Sequence, residues 1–396
     1  MTVVRAPGLT HGLIPRLRPL RSTIFAEMTA LADRTGAVNL GQGFPDTDGP
    51  AGMLEVARSA IASGHNQYPP GPGIPELRDA ISEQRAACYG LVHDPDTEVL
   101  VTVGATEAIS AALLALVGQG DEVLLIEPYY DSYPAAVALA GATRRCVPLV
   151  ADSDRFTLDL DALAAAITPA TRALVLNSPH NPTGTVLRRR ELEAVAALAV
   201  EHDLLVITDE VYEHLVFDGA RHLPIATLPG MAQRTLSVSS AGKTFSVTGW
   251  KIGWVCGPAH LVAAVRAVKQ FLTFVGGAPL QPAVAHALRA ERGWVAAHRA
   301  ALQDKQRRLA AGLRAAGLGV LGSAGTYFIC ADVRPLGYAD GLEFCRELPA
   351  RVGVAAIPVQ VFVDDPAPWR HLVRFAFCKR DDVLDEAIAR LTSARR

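Results

Sequence analysis

The sequence predicts an α/β protein whose larger part is a mostly parallel sheet sandwiched by helices. Half of the 396 residues are hydrophobic and 20% are charged, so the chain can bury a large core. Between residues 98 and 257, short apolar segments alternate with helical patterns, which is typical of parallel strands covered on both faces. The chain is long for a single core, and after residue 285 a second, smaller α/β pattern begins. We therefore expect an N-terminal arm that joins the small domain (residues 1–44), a large domain (45–285) and a small C-terminal domain (286–396).

The N-terminal region is predicted to contain helices near residues 23–35, 53–63 and 76–90, joined by turns. The segment VNLGQGFPD (38–46) reads as a short strand that runs into a glycine- and proline-rich turn. Gly41 and Gly43 either make that turn or let backbone amides face a carboxylate. The loop 66–75 is too rich in proline and glycine for a core, and its Tyr68 is either a plain surface residue or a ligand contact.

Polar loops follow the predicted strands of the large domain. We expect strands at residues 98–103, 122–127, 172–178, 204–208, 234–239 and 251–257, with helices at 105–117 and 191–202. The ligand crevice of an open α/β sheet lies beyond the carboxyl ends of its strands. The loops 104–106, 128–130, 179–184 and 209–212 all occupy such positions. The side chains that we expect to converge there are Thr106, Tyr130, Asn181, Asp209, Tyr212 and Lys243.

Lys243 lies in the segment SVSSAGKTFSVTGWKIGW (237–254), on a tight connection between two predicted strands. Its small neighbours allow a flat ligand to approach the backbone. A lysine there can form an imine with a carbonyl compound if burial lowers the pKa of its amine; the alternative is a solvated loop charge. A phosphate-binding P-loop is rejected because Ser237 stands where that motif needs glycine.

Two further positions allow both a functional and a structural interpretation. The helix that begins near Gly104 either presents free amides to an anion or is an ordinary capped helix. Arg374 interrupts the apolar strand at 372–378, where it forms either a structural ion pair or a carboxylate clamp. The rest of the small domain is predicted as helices at 293–316, 342–352 and 381–391 and strands at 325–333 and 354–362.

Composition disfavours several classes of partner. The net charge is −2 without a basic block, which argues against nucleic acid, and no apolar run is long enough for a membrane span. The six cysteines are scattered without a C-x-x-C pair, so we expect thiols in a reducing compartment rather than a metal site. Because we also find no signal peptide, we expect a cytoplasmic protein.

The motifs taken together resemble the fold-type-I, class I/II aminotransferases, which use pyridoxal 5'-phosphate. The resemblance covers nearly the whole chain, and Lys251 eight residues after the lysine of SSAGKT is its most specific feature. The motifs that carry it are NLGQGFPD (39–46), NQY (66–68), VGATEA (103–108), NSPHNPTG (177–184), TDEVY (208–212), SSAGKTFSVTGWKIGW (239–254) and VRFAF (373–377).

The resemblance implies a role for each candidate residue at the cofactor ring. Lys243 would hold the cofactor covalently and then act as general base and acid. Asp209 would pair with the pyridinium nitrogen. Tyr212 and Asn181 would bond the phenolic oxygen, and Tyr130 would stack on the ring.

The resemblance also implies how the phosphate and the substrate are held. The phosphate would contact Ala105, Thr106, Ser240 and Lys251, where many relatives have arginine in place of Lys251. Tyr68 would reach the phosphate of a neighbouring subunit, so a homodimer with shared active sites is expected. Arg374 and the Gly43 backbone would bind the α-carboxylate of an amino acid or 2-oxo acid substrate. The aromatic residues Phe25 and Phe362 would line the pocket.

Within the family, the chain is most similar to the group that transaminates kynurenine, glutamine and methionine. This group implies exchange of an amino group between glutamate or 2-oxoglutarate and a second amino or oxo acid. For that second substrate, the resemblance favours N-succinyl-LL-2,6-diaminopimelate, an intermediate of the diaminopimelate route to lysine. Gly276 and Gly277, where kynurenine-type relatives have bulky side chains, either open space for this long anionic substrate or only form a turn. Arg21 is our suggestion for its distal carboxylate.

Three alternatives remain beside this function. The first is an aminotransferase for kynurenine, glutamine or methionine, and the second is a cysteine-conjugate β-lyase on the same scaffold. The third is the ligand-sensing domain of a transcription regulator, which adds a winged-helix domain. The 37 residues before VNLGQGF are too few for such a domain, so we favour an enzyme.

Overall fold

An eight-stranded sheet forms the centre of the computed structural model, which describes residues 14–20, 23–152 and 155–394. Its strands lie in the order β2-β9-β8-β7-β6-β3-β4-β5. The bounds are β2 Val99–Val103, β3 Glu122–Glu127, β4 Thr143–Asp152, β5 Arg155–Leu158, β6 Thr171–Asn177, β7 Leu205–Asp209, β8 Thr235–Ser240 and β9 Ile252–Cys256. The five neighbouring strands β8, β7, β6, β3 and β4 pair in parallel. Strand β9 runs antiparallel to both β2 and β8, and β5 runs antiparallel to β4.

Helices cover both faces of this sheet. The helices of this part are α2 Ala51–Ala62, α3 Pro75–Tyr89, α4 Gly104–Leu116, α5 Ser132–Ala140, α6 Leu160–Ala166, α7 Arg189–Glu201, α8 Ala241–Thr244, α9 Ala259–Lys269 and α10 Gln281–Ala290. Strand β3 shows the sandwich directly, because Val123 and Leu125 pack into the cluster of α4, α5 and α9. The alternate residues Leu124 and Ile126 pack into the cluster of α6 and α7. The predicted α/β fold with a helix-covered, mostly parallel sheet is confirmed.

A second, four-stranded sheet organises the C-terminal part. It is wholly antiparallel, in the order β10-β11-β14-β13, and a separate short parallel pair joins β1 to β12. The bounds are β1 Val38–Asn39, β10 Gly319–Val320, β11 Phe328–Asp332, β12 Val354–Ala355, β13 Ile357–Pro358 and β14 Leu372–Ala376. The helices are α1 Ile24–Thr35, α11 Arg292–Ala315, α12 Gly341–Val352 and α13 Asp381–Ser393. Residues from α1 share one hydrophobic cluster with this sheet and its helices, so the N-terminal helix packs with the C-terminal part.

One local prediction was wrong in detail. The strand expected at 354–362 is divided into β12 and β13, which pair with different partners, and then continues as a 3-10 helix, Val359–Phe362. Pro358 has no N–H to extend the strand pairing. Lys243 lies on the connection between β8 and β9, as predicted, and this connection begins with the short helix α8. A domain boundary between residues 285 and 286 would cut α10, a continuous hydrogen-bonded helix, so the division into domains stays a proposal that fits better at the end of α10.

None of the helices in the described ranges combines the length and the apolar character that a membrane crossing requires.

Candidate active site

One cavity of about 240 Å³ lies where the edge of the large sheet meets the C-terminal part of the chain. Most of the residues singled out from the sequence line it. These are Phe25, Gly43, Ala105, Thr106, Tyr130, Asn181, Asp209, Tyr212, Ser240, Lys243, Lys251 and Arg374. The convergence that we expected from strand order is therefore what the fold produces.

The direction of the strands explains this convergence. Strands β3, β6, β7 and β8 are parallel, so their carboxyl ends meet at one edge of the sheet. Strand β2 is separated from β8 only by the antiparallel strand β9, and two reversals restore the common direction. The loops after all five strands thus open into the same crevice.

Lys243 is enclosed by protein except where it faces the cavity. Its Nζ lies 2.9 Å from the hydroxyl of Tyr327 and 3.5 Å from the carbonyl oxygen of Gly43. Burial lowers the pKa of Lys243 to about 8. The positive charges of Lys251 and Arg374 also lower this pKa, whereas Cys378 and Asp209 raise it. A substantial share of the amine is therefore neutral near pH 8, as a nucleophile or base requires.

Asp209 ends strand β7 with its carboxylate buried beneath the cavity. Its two oxygens accept hydrogen bonds from the Tyr133 hydroxyl at 2.6 Å and from the Val211 backbone N–H at 3.2 Å. Burial raises the pKa of Asp209, whereas these hydrogen bonds and Lys243 oppose the rise. A cationic group placed in the cavity would favour the ionised carboxylate further. Sequence reasoning missed Tyr133, although it lies three residues after Tyr130 and near the start of a helix.

Asn181 is held in place by a neighbouring asparagine. The side chain of Asn177 accepts a hydrogen bond from the Asn181 backbone N–H at 2.8 Å and donates to the carbonyls of Pro179 and Asp209. This bonding ties the loop after β6 to the end of β7. Tyr212, which is 3% exposed, completes this wall, and burial raises the pKa of its hydroxyl. Asn177 was not singled out from the sequence.

The start of helix α4 and Lys251 lie together at one end of the cavity. Val103, the residue that precedes the helix, makes no side-chain cap, so the backbone amides of the first turn need another partner. A Cβ atom added at Gly104 would lie 3.1 Å from the Lys251 Nζ, which places that ammonium group at the helix start. A helix N-terminus beside a lysine favours an anionic group. The Glu107 carboxylate accepts a hydrogen bond from the Val103 N–H at 2.6 Å, so the helix start is also partly capped from within the helix.

Arg374 is 1% exposed and forms no ion pair with any residue in the described ranges. Its guanidinium donates to the Asn181 Oδ1 at 3.0 Å and to the Gly41 carbonyl at 2.9 Å, while its Nε has no hydrogen-bond partner. The ring of Phe328 lies 4.0 Å away, and those of Phe25 and Phe362 lie at 5.4 and 5.6 Å. Burial lowers the pKa of Arg374. A buried cation without an acid partner is suited to a carboxylate ligand.

Three predicted residues do not line the cavity. Phe362 is 2% exposed and packs behind Arg374 and Phe25, so it supports the pocket rather than facing it. Tyr68 is 81% exposed, edge-on to the ring of Phe274 on the protein surface. Arg21 lies outside the described residues.

Gly276 and Gly277 are required by packing within the chain. Gly277 has a φ of +63°, and an added Cβ would lie 2.2 Å from the Ile252 Cδ1; at Gly276 it would lie 2.7 Å from a methyl carbon of Val103. The geometry supports the interpretation of these residues as a structural turn.

A buried charge network lies behind the segment Asp209–Glu213. Asp209 and Tyr212 face the cavity, whereas Glu210 and Glu213 face the fully buried Arg85 at 2.7 and 3.4 Å. Glu213 also accepts a hydrogen bond from the Ser239 hydroxyl at 2.6 Å, which links this segment to the strand before Lys243. Sequence reasoning missed the network because Arg85 lies 125 positions from Glu210.

The sequence from residue 35 to residue 391 matches a known enzyme family. The family model described as "Aminotransferase class I and II" matches residues 35–391. The chain belongs to the class I and II aminotransferases.

The relatives of this aminotransferase agree with that assignment. The probable N-succinyldiaminopimelate aminotransferase of Mycobacterium tuberculosis H37Rv is 63% identical over 96% of this chain and 98% of its own length. The methionine aminotransferase of Escherichia coli K12 is 42% identical over 96% and 98%. The solved structure of N-succinyldiaminopimelate aminotransferase from M. tuberculosis superposes with a TM-score of 0.95, at 64% identity, and covers 96% of this chain and 100% of that one.

Proposed function

We propose that this aminotransferase uses pyridoxal phosphate to exchange an amino group between glutamate and the oxo acid of N-succinyl-LL-2,6-diaminopimelate, a step in lysine biosynthesis. The support for this substrate is the identity of 63% with a relative that carries the corresponding name. The alternatives are less well supported, because the methionine aminotransferase is only 42% identical.

One observation carries the proposal for the cofactor: a single cavity presents a lysine, a buried carboxylate and an anion-binding helix start. Lys243 offers a neutral amine for the aldehyde, Asp209 offers a carboxylate for a protonated ring nitrogen, and the start of α4 with Lys251 offers a phosphate cup. Ala105, Thr106 and Ser240 line the same part of the wall, and Tyr130 offers a ring for stacking. The residues therefore fit the group.

Bound pyridoxal phosphate supplies an electron sink that makes the α-hydrogen of an amino acid acidic. The chain's own residues do the rest. Asp209 would pair with a protonated ring nitrogen, and Tyr212 and Asn181 would donate to the phenolic oxygen. The neutral amine of Lys243 would accept the proton from the α-carbon of the substrate. Helix α8 and the ends of β7 and β8 hold these groups at fixed positions.

The substrate carboxylate is placed by Arg374. Its Nε is buried without a partner, and one of its N–H groups donates only to the amide oxygen of Asn181. A carboxylate supplies the acceptor that this guanidinium lacks, and the Gly43 backbone lies on the same wall. Phe25 and Phe328 pack beside the guanidinium and exclude water from it.

We also propose a cytoplasmic homodimer with shared active sites. Exposed aromatic residues support the dimer, because Tyr68, Phe271 and Phe274 are 81%, 84% and 50% exposed. The rings of Tyr68 and Phe274 are also in contact on the surface of the protein. Tyr68 would then reach the phosphate group of the partner's cofactor. All six cysteines are free and four are buried, which suits a reducing compartment.

Visible spectroscopy during a titration tests the function. The protein loaded with pyridoxal phosphate should absorb in the visible range, glutamate should bleach the band, and N-succinyl-2-amino-6-oxopimelate should restore it. Lys243→Ala should never show the band, whereas Lys305→Ala, a lysine on α11, should behave like the wild type. Restoration only by the oxo acids of methionine or kynurenine would refute the substrate, and release of pyruvate and ammonia would indicate a β-lyase. A loaded Lys243→Ala protein with a normal band would refute the cofactor site.

A further inference from the structure

Tyr327 contacts the reacting atom of the candidate site, although no motif in the sequence pointed to it. It directly precedes strand β11 and is 1% exposed. Its hydroxyl lies 2.9 Å from the Lys243 Nζ and 2.5 Å from the carbonyl oxygen of Gly43. The three groups come from distant parts of the sequence, since Tyr327 lies 84 positions from Lys243 and 284 from Gly43.

The direction of these hydrogen bonds is fixed by chemistry. A carbonyl oxygen can only accept, so the hydroxyl proton of Tyr327 points to Gly43. The hydroxyl oxygen is then an acceptor, and Lys243 donates one of its N–H groups to it. A neutral amine that donates one N–H in this way keeps its lone pair free. The lone pair can therefore face the cavity and take a proton from a bound substrate.

Other charged groups surround Lys243 without forming this contact. Burial is the largest cause of the lowered pKa of this amine, and Lys251 and Arg374 lower the pKa further. Cys378 and Asp209 raise it. The ring of Tyr212 lies 5.7 Å from the Nζ. Among the described residues, only the Tyr327 hydroxyl and the more distant Gly43 carbonyl accept a hydrogen bond from this amine.

We propose that Tyr327 is a positioning residue: its hydroxyl receives the Lys243 amine whenever this amine is not bonded to the cofactor, and it orients the lone pair for proton transfer. The inference rests on the proposed function, because it assigns a resting position to the lysine between bond-forming steps. Tyr327 belongs to the C-terminal part of the chain and Lys243 to the large sheet. The resting position is therefore built only when these two parts are in contact.

A purely structural role for Tyr327 would be to anchor the Gly43 segment. In that case, loss of the hydroxyl would disturb substrate binding but leave the protonation of Lys243 unchanged. The two roles are separable by measuring Lys243 itself in the cofactor-free, full-length protein, which requires no reaction to occur.

The experiment is reductive methylation with labelled formaldehyde over a range of pH, followed by peptide mass spectrometry. Only a neutral amine reacts, so the rate profile gives the pKa of Lys243, which we expect at about 8 in the wild type. In Tyr327→Phe the ammonium form loses an acceptor, and the pKa should fall by about one unit. The remaining contact with the Gly43 carbonyl limits the shift. Tyr129→Phe, which removes another buried hydroxyl bonded to Asp364, should leave the pKa unchanged.

Kinetics of the glutamate half-reaction give a second readout. Tyr327→Phe should lower the maximal rate about tenfold with little change in KM, since the hydroxyl positions the base rather than the substrate. Should Tyr327→Phe misfold by circular dichroism, Tyr327→Met provides a second variant without the hydroxyl. An unchanged Lys243 pKa in a folded variant would overturn the proposal, as would a raised KM at normal maximal rate. Failure of the cofactor to bind would refute the proposed function but leave the methylation result intact.

Discussion

Arg85 offers the most direct test of the charge network behind the candidate site, through the variant Arg85→Met. The side chain is fully buried, and its guanidinium compensates Glu210 at 2.7 Å and Glu213 at 3.4 Å. Removing one partner of a buried ion pair costs about 3–5 kcal/mol, because an uncompensated charge stays in the core. Methionine fills a similar volume, so the loss of packing is small. We therefore expect Arg85→Met to lower the free energy of unfolding by about 3–5 kcal/mol at pH 8.

The effect should depend on pH in a defined direction. Burial alone raises the pKa of Glu210, but the positive charge of Arg85 at 2.7 Å outweighs it, so the pKa of Glu210 lies below its ordinary value. The ionised Glu210 thus stabilises the wild type above the pKa of the unfolded chain, and this contribution is lost as the pH falls. Without Arg85 the burial dominates and the pKa rises. The difference between Arg85→Met and the wild type should therefore shrink from pH 8 to pH 5.

The assay is urea unfolding of the cofactor-free protein at equal protein concentration. Tryptophan fluorescence follows unfolding. Among the four tryptophans, Trp254 contributes a buried probe in the large sheet, since it is 2% exposed and pairs with Ser239, the donor to Glu213. Arg289→Met, which breaks an exposed pair with Glu83, serves as control and should cost at most about 1 kcal/mol. The reasoning is refuted if Arg85→Met costs no more than the control, or if its cost does not shrink at low pH.

Two further predictions follow from the geometry. Tyr133→Phe removes a hydrogen bond that lowers the pKa of Asp209, so the acidic limb of the pH–rate profile should move up by about one unit; an unmoved limb would contradict the importance of this bond. Gly277→Ala forces a side chain into a positive φ and against Ile252, so the free energy of unfolding should fall by about 1–3 kcal/mol. Gly293→Ala, where an added Cβ meets nothing within 4 Å, is the matched control, and equal urea midpoints for the two variants would disprove this explanation.

Local pattern was sufficient for the fold class and for most of the site. Apolar strands alternating with helices predicted the covered sheet, and the loops at their carboxyl ends predicted where Asp209, Asn181 and Lys243 meet. Asp209 ends a strand, and Asn181 and Lys243 follow within the next few residues of theirs, so their positions follow from the order of elements. The solitary charge of Arg374 within an apolar strand was likewise visible in the sequence, and the structure supplies no acid for it among the described residues.

The sequence could not decide which side chains support these groups. Tyr133 and Asn177 lie in the cavity wall and hold Asp209 and Asn181 in place, whereas Phe362 packs behind Arg374. Supporting contacts of this kind have no local signature in the sequence. The two glycines at 276 and 277 show the same limit. Their sequence allowed either open space or a turn, and only the positions of Val103 and Ile252 favour the turn.

By itself, then, the sequence determined the α/β fold, the family and the residues that follow each strand, because these depend on periodicity and on short spacings. Only the tertiary structure decided that Arg85 neutralises the back of the Asp209 segment and that Tyr327 meets the Lys243 amine. These contacts join residues 125 and 84 positions apart. They exist because helix α3 packs behind the large sheet and the C-terminal part closes over its edge, and no pattern within a short stretch of sequence encodes such a meeting.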